Sequence, residues 1–294
     1  MELGFETFLL VCPLLFLAGL VDAIGGGGGL ISLPAYLLAG LPPHTAIATN
    51  KMSSTCGTAV AAFRLIRNRF VDFRLAAPSI AAGVAGSAAG ARLSLLISEK
   101  IMMSLMVIIL PVCAFLVLNK NLFRDRPSEK AVSRRRLYAV SIAAALIVGV
   151  YDGFYGPGTG TFLIIAFNIF AGMDVRKANG QTKIINLTTN VTSLVIFLVS
   201  GQVAVYLGLA AAACNMLGGY IGAGMMMEKG TKIVRPSIIL VLLLLLIKII
   251  SGLFLSDETN RPGCVSNTQP GRFVFCSLQP AADKKSSYPS GFSE

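Results

Sequence analysis

Tryptophan is absent from the 294 residues, histidine occurs once, and charged side chains make up only 13%, against 54% hydrophobic residues and a mean hydropathy of +0.73. So little charge excludes an ordinary soluble domain. One histidine and six cysteines with no C-x-x-C or Cys/His spacing provide no set of metal ligands; Cys12, Cys56, Cys113 and Cys214 lie in apolar stretches and read as small hydrophobes. There is no G-x-S-x-G and no H-E-x-x-H, so neither an enzyme nor a catalytic residue, metal or cofactor is expected. The glycine runs at 25–29 and 156–160 lack a following Gly-Lys-Ser/Thr and any βαβ context, which removes a phosphate-loop reading. The first residues carry Glu2 and Glu6 but no basic stretch, so the first apolar helix is expected to stay in the protein rather than be cleaved as a leader. His44, in a Pro-Pro-His turn, reads as a surface residue.

What is present is apolar length. Segments such as Ala76 to Ile97, Ile101 to Leu118, Leu137 to Val150, Ile184 to Ser200, Val203 to Met227 and Ile238 to Leu255 approach the ~20 residues that span a bilayer. They predict an all-α integral membrane protein with about 8–10 transmembrane segments. The net charge of +11 does not imply nucleic acid, because sixteen basic residues cluster in loops between these segments.

Two stretches interrupt the apolar pattern in the same way: Asp22-Ala-Ile-Gly-Gly-Gly-Gly-Gly-Leu and Asp152-Gly-Phe-Tyr-Gly-Pro-Gly-Thr-Gly. Gly26, Gly28, Gly156, Pro157 and Gly158 should break membrane helices there and free main-chain dipoles. Asp152 follows Asp22 by 130 residues; further on the offset is 132, matching Gly40 with Gly172, Lys51 with Lys183, Gly86 with Gly218 and Gly90 with Gly222. The chain is therefore read as membrane repeat 1 (1–118), a cytoplasmic basic linker (119–136), membrane repeat 2 (137–255) and a flexible extramembrane tail (256–294). The basic loops alternate between the halves, at Arg64 to Arg74 in the first and at Arg176-Lys177 and Lys229 to Arg235 in the second. That alternation predicts inverted repeats and places both termini outside the cytoplasm. The short pieces Leu30 to Ala39 and Thr161 to Ala171 fit ten crossings, the working count, or six crossings plus two re-entrant hairpins.

Four charges fall in these apolar surroundings at repeat-equivalent positions: Asp22, Asp152, Lys51 and Lys183. Intramembrane charges cost about 2.5–3.5 kcal/mol each on insertion scales and face a partner or a polar cavity. One reading makes them structural ion pairs; the other gives Lys51 and Lys183 to an anion and an aspartate to proton coupling. Asn50, Ser53, Ser54, Gln181, Thr182, Asn186 and Asn190 surround the lysines and suit oxyanion oxygens.

The runs Asp22 to Pro34, Ala48-Thr-Asn-Lys51 with Ser53-Ser54 and Gly57-Thr58, Tyr151 to Gly160, and Asn179-Gly-Gln-Thr-Lys183 resemble the TauE/SafE sulfite exporter family, particularly its YfcA-like bacterial branch. The resemblance covers residues of about 8 to 250 and implies a small permease of the inner membrane, associated with sulfite, sulfonates and other organosulfur anions. The expectation is a secondary transporter of a small anion, working by alternating access at a midplane site; a passive anion channel or facilitator is the alternative. Its expected partners are the anion and the lipid bilayer, with no nucleic acid and the oligomeric state open.

Overall fold

Every element among the described residues is helical, and most boundaries have a visible local cause. The computed structural model describes residues 4–105 and 133–229, all within one unit spanning residues 1–247. The predicted continuation to Leu118, most of the linker 119–136, the segment Ile238 to Leu255 and the tail 256–294 lie outside the described residues.

Eight helices are named here: α1 (Phe5–Gly25), α2 (Gly29–Leu38), α3 (Pro43–Arg67), α4 (Phe73–Leu96), α5 (Arg134–Phe154), α6 (Thr159–Ile169), α7 (Val175–Val199) and α8 (Val205–Lys229). A further helical stretch covers 99–105. Pro43 opens α3 at a position where its missing N–H costs nothing. Asp72 caps α4, accepting from Arg74 N at 2.9 Å, and Asp174 caps α7, accepting from Arg176 N at 3.1 Å. α1, α4, α5, α7 and α8 are long and apolar enough to cross a membrane; α2 and α6, of 10 and 11 residues, are the short apolar pieces beyond the glycine runs.

Small residues let the helices meet main chain to main chain. α4 lies on α5, where a Cβ on Gly86 would stand 2.4 Å from Leu146 O and one on Gly90 2.0 Å from Val150 O. α8 lies on α1 through the glycines 132 positions further on, with Gly218 against Phe16 O (2.0 Å) and Gly222 against Leu20 O (2.3 Å). In both pairs the residue numbers rise together, so the paired helices run parallel. α3 and α7 run antiparallel: Gly180, near the start of α7, backs onto Phe70 just past α3, whereas Ala204, just past α7, donates to Thr49 near the start of α3.

These directions place the basic turn and helix-start residues Arg69, Arg74, Arg136, Arg176 and Lys177 on one rim. Arg136 Nε donates to Phe170 O (3.1 Å), bringing the start of α5 to the end of α6, and Gln181 Nε2 donates to Asp72 O (2.8 Å), bringing α7 to the α3–α4 turn. The opposite rim holds the α2–α3 turn and the end of α4. There His44 is buried, and its Nε2 donates to Ser94 O at 2.9 Å. This corrects the surface reading of His44: the turn folds under the C-terminus of α4 and gives Ser94 O, which already accepts from Ile97 N at 3.3 Å, a second donor.

Candidate functional site

The polar residues of α3 and α7 face each other across the antiparallel pair. Lys51, on α3 and 1% exposed, lies 2.8 Å from Asp152 Oδ2 near the end of α5. It also donates to Asn190 Oδ1 at 3.0 Å, and Asn190 Nδ2 in turn donates to Asn186 Oδ1 at 3.2 Å. Lys183, on α7, lies 2.6 Å from Asp22 Oδ2 near the end of α1 and donates as well to the Asp22 main-chain oxygen. Each lysine therefore pairs with the aspartate of the other half. The aspartates are not equivalent: the Asp22 side chain is 18% exposed and that of Asp152 2%. A buried pair of this kind is held by geometry and by added hydrogen bonds, since Coulomb attraction must offset the loss of hydration.

The helix breaks supply that geometry. α1 ends at Gly25 and α5 at Phe154, and the two breaks press on one another at the centre. Gly26 has φ +78°, and a Cβ there would stand 2.2 Å from Gly160 C, so a side chain is excluded both by conformation and by space. Thr161 Oγ1 donates to Gly25 O (2.8 Å), giving an acceptor freed by the break a partner from the other half. Gly156, with φ +100°, leaves room for the Lys51 ammonium, which a methyl group there would meet at 3.0 Å. Gly28 and Gly29 are set against Ala18 O and Pro157 Cα, Gly158 begins α6 with φ +86°, and Tyr151 Oη donates to Pro157 O at 2.6 Å.

The remaining expected anion ligands divide. Asn50 Oδ1 accepts from Ser32 Oγ and, at 3.3 Å, from Ser54 Oγ, one residue from Lys51 but outside its ion pair. Thr182 is buried, with no hydrogen-bond partner at its Oγ1. Gln181, two residues before Lys183, turns instead to the basic rim and holds Asp72 O. The structure adds a hydroxyl cluster not anticipated from sequence, in which Ser87 Oγ donates to Thr189 O at 2.6 Å and stands 2.6 Å from Ser193 Oγ. It also adds the Tyr36–Ser53 bond, 2.9 Å long. Serines in a helix of small residues look like packing until their neighbours are known. Among the described residues no group of three or more His, Cys, Asp or Glu side chains could hold a metal ion.

A helical, multi-pass arrangement whose intramembrane charges are turned inward onto one another defines a polytopic membrane protein of the transport class. The chain belongs to the sulfite exporter TauE/SafE family, whose model matches residues 11–249. It is 33% identical over 250 residues to the probable membrane transporter protein YfcA of Escherichia coli K12, covering 81% of this chain and 90% of that protein. Identity is 30% over 250 residues to the probable membrane transporter protein ORF9 of Sinorhizobium sp, covering 85% and 95% of the two chains. A probable membrane transporter protein of Haemophilus influenzae is 31% identical over 251 residues, covering 85% and 97%. No solved structure matches. The chain is thus a membrane transporter and not an enzyme.

Proposed function

We propose that this chain is a secondary transporter of a small anion, sulfite, a sulfonate or another organosulfur anion, which it carries by alternating access around Lys51 and Lys183. The observation that carries the reading is the exchange of buried ion pairs, Lys51 with Asp152 and Lys183 with Asp22, at repeat-equivalent positions. A lysine neutralised by a carboxylate is stable while no anion is bound. An anion that takes the ammonium together with a proton that neutralises the displaced carboxylate opens the pair without leaving an unpaired charge in the membrane. Because each pair joins one half to the other, releasing one loosens the contact between halves on its own side. Proton coupling through Asp22 or Asp152 follows from the same exchange.

The antiparallel course of α3 and α7 supports inverted repeats. With the basic rim in the cytoplasm, the N-terminus of α1 falls outside, and both broken units are re-entrant: α1 and α2 open to the outer rim, α5 and α6 to the cytoplasmic one. The membrane is the inner, or plasma, membrane.

The test is uptake of labelled sulfite and a panel of sulfonates into proteoliposomes by wild type, Lys51→Ala, Lys183→Ala and the double variant. Lys51→Met with Asp152→Leu serves as a folded control, because it removes a whole pair and leaves no buried charge. Loss of flux in all four variants is expected; undiminished transport in the double lysine variant overturns the site. An imposed pH gradient that drives accumulation distinguishes a coupled transporter from a passive channel.

A further inference from the structure

On the basic rim, between the α3–α4 turn and the α6–α7 turn, lies a cavity of about 420 Å³. At a water's ~30 Å³ share of liquid volume it holds about a dozen waters, enough for a small anion with its hydration shell. Its lining includes the cations Arg69 and Lys177, the carboxylate Asp72, and Gln181. Asp72 spends its Oδ1 on the cap of α4. Gln181 is 1% exposed and uses its Nε2 on Asp72 O, but its Oε1 has no hydrogen-bond partner.

The repeat provides an internal comparison. Arg69 follows α3 with φ +61°, the only positive φ at a non-glycine among the described residues, and its repeat mate is Gly201, with φ +68° after α7. The main-chain bonds match: Arg69 N to Ile66 O and Phe70 N to Leu65 O in one half, Gly201 N to Leu198 O and Gln202 N to Phe197 O in the other. Glycine is the residue this helix stop favours. An arginine kept in a left-handed conformation at the same joint points to a use for its side chain. Lys177 likewise stands where the first half has Thr45, and Asp72 where the second half has Ala204. Of two equivalent joints, one on each rim, only the basic one carries charge.

We propose that this cavity is a vestibule that recruits the anion before it reaches the lysines of the centre. Arg69 and Lys177 supply the field, and Gln181 Oε1 accepts a hydrogen bond from a water of the anion's shell. The substrate class rests on the transport reading above; the binding of an oxyanion does not.

Arg69→Gly is the test, because glycine relieves the backbone while removing the charge. Sulfite uptake is measured at low salt in vesicles sorted by orientation. The expected result is a rise of about fivefold in KM from the basic side, with Vmax and the KM of the opposite side unchanged and thermal stability at or above wild type. Lys177→Gln acts in the same direction, and both effects shrink above 0.1 M salt, where the screening length is ~10 Å. An unchanged KM on the basic side, or an equal change on both sides, overturns the vestibule while the transport reading stands. If wild type carries neither sulfite nor any sulfonate of the panel, the transport reading fails and thermal-shift titration with sulfite in detergent decides the vestibule. A shift in wild type that Arg69→Gly abolishes supports it; no shift, or one the variant retains, overturns it.

Discussion

Asp152→Asn provides a quantitative test of the exchanged pairs. The substitution leaves the Lys51 ammonium 1% exposed, with Asn190 Oδ1 as the neighbouring acceptor. Breaking a buried pair from one side costs about 3–5 kcal/mol, because the remaining charge is neither paired nor hydrated. For a chain of this size each kcal/mol lowers Tm by about 2–4 °C, so the variant should unfold some 6–20 °C below wild type in detergent. Asp22→Asn should cost less, about 2 kcal/mol: Lys183 keeps the Asp22 main-chain oxygen, and the Asp22 side chain is already 18% exposed. Lys51→Met with Asp152→Leu should lie within about 1 kcal/mol of wild type, giving a strongly non-additive double-mutant cycle. Additive effects, or a cost below about 1 kcal/mol for Asp152→Asn, would refute the view that the two charges depend on each other.

Two further substitutions test the frame around the pairs. Gly26→Ala forces a Cβ to within 2.2 Å of Gly160 C at φ +78°, whereas Gly40→Ala, at φ +83°, meets nothing within 4 Å. The second should therefore cost about 1 kcal/mol of conformational strain and the first well over 2, read as Tm and as yield of folded protein. His44→Ala removes one of the two donors to Ser94 O and should lower stability by about 1 kcal/mol by the same measurement; an unchanged Tm would return His44 to the role of a bystander.

Much of the helical plan is legible because it depends on local chemistry: apolar length gives the long helices, and the glycine runs mark where α1 and α5 stop. The constant offset between Lys51 and Lys183 singles out the charged residues before any contact is known. Their partners are a different matter. Lys51 meets Asp152 rather than the Asp22 of its own half, and helix periodicity carries no information across such a separation. Gln181 shows another limit. It lies two residues from Lys183, yet that step turns it about 200° around the helix, onto the rim instead of the centre. His44 was obscured by its turn context, since only the packing of α4 above it supplies the carbonyl that holds it.

The exchange of partners also sets the order in which the membrane protein can be completed. Asp22 pairs with a lysine 161 residues further along the chain. At a synthesis rate of about 5–20 residues per second, Asp22 therefore waits roughly 8–32 s for its counterion to be made. During that interval Asp22 and Lys51 stand without the partners they take in the finished protein. The first half is therefore made before either of its buried charges can meet its final counterion, and translation of the second half supplies both.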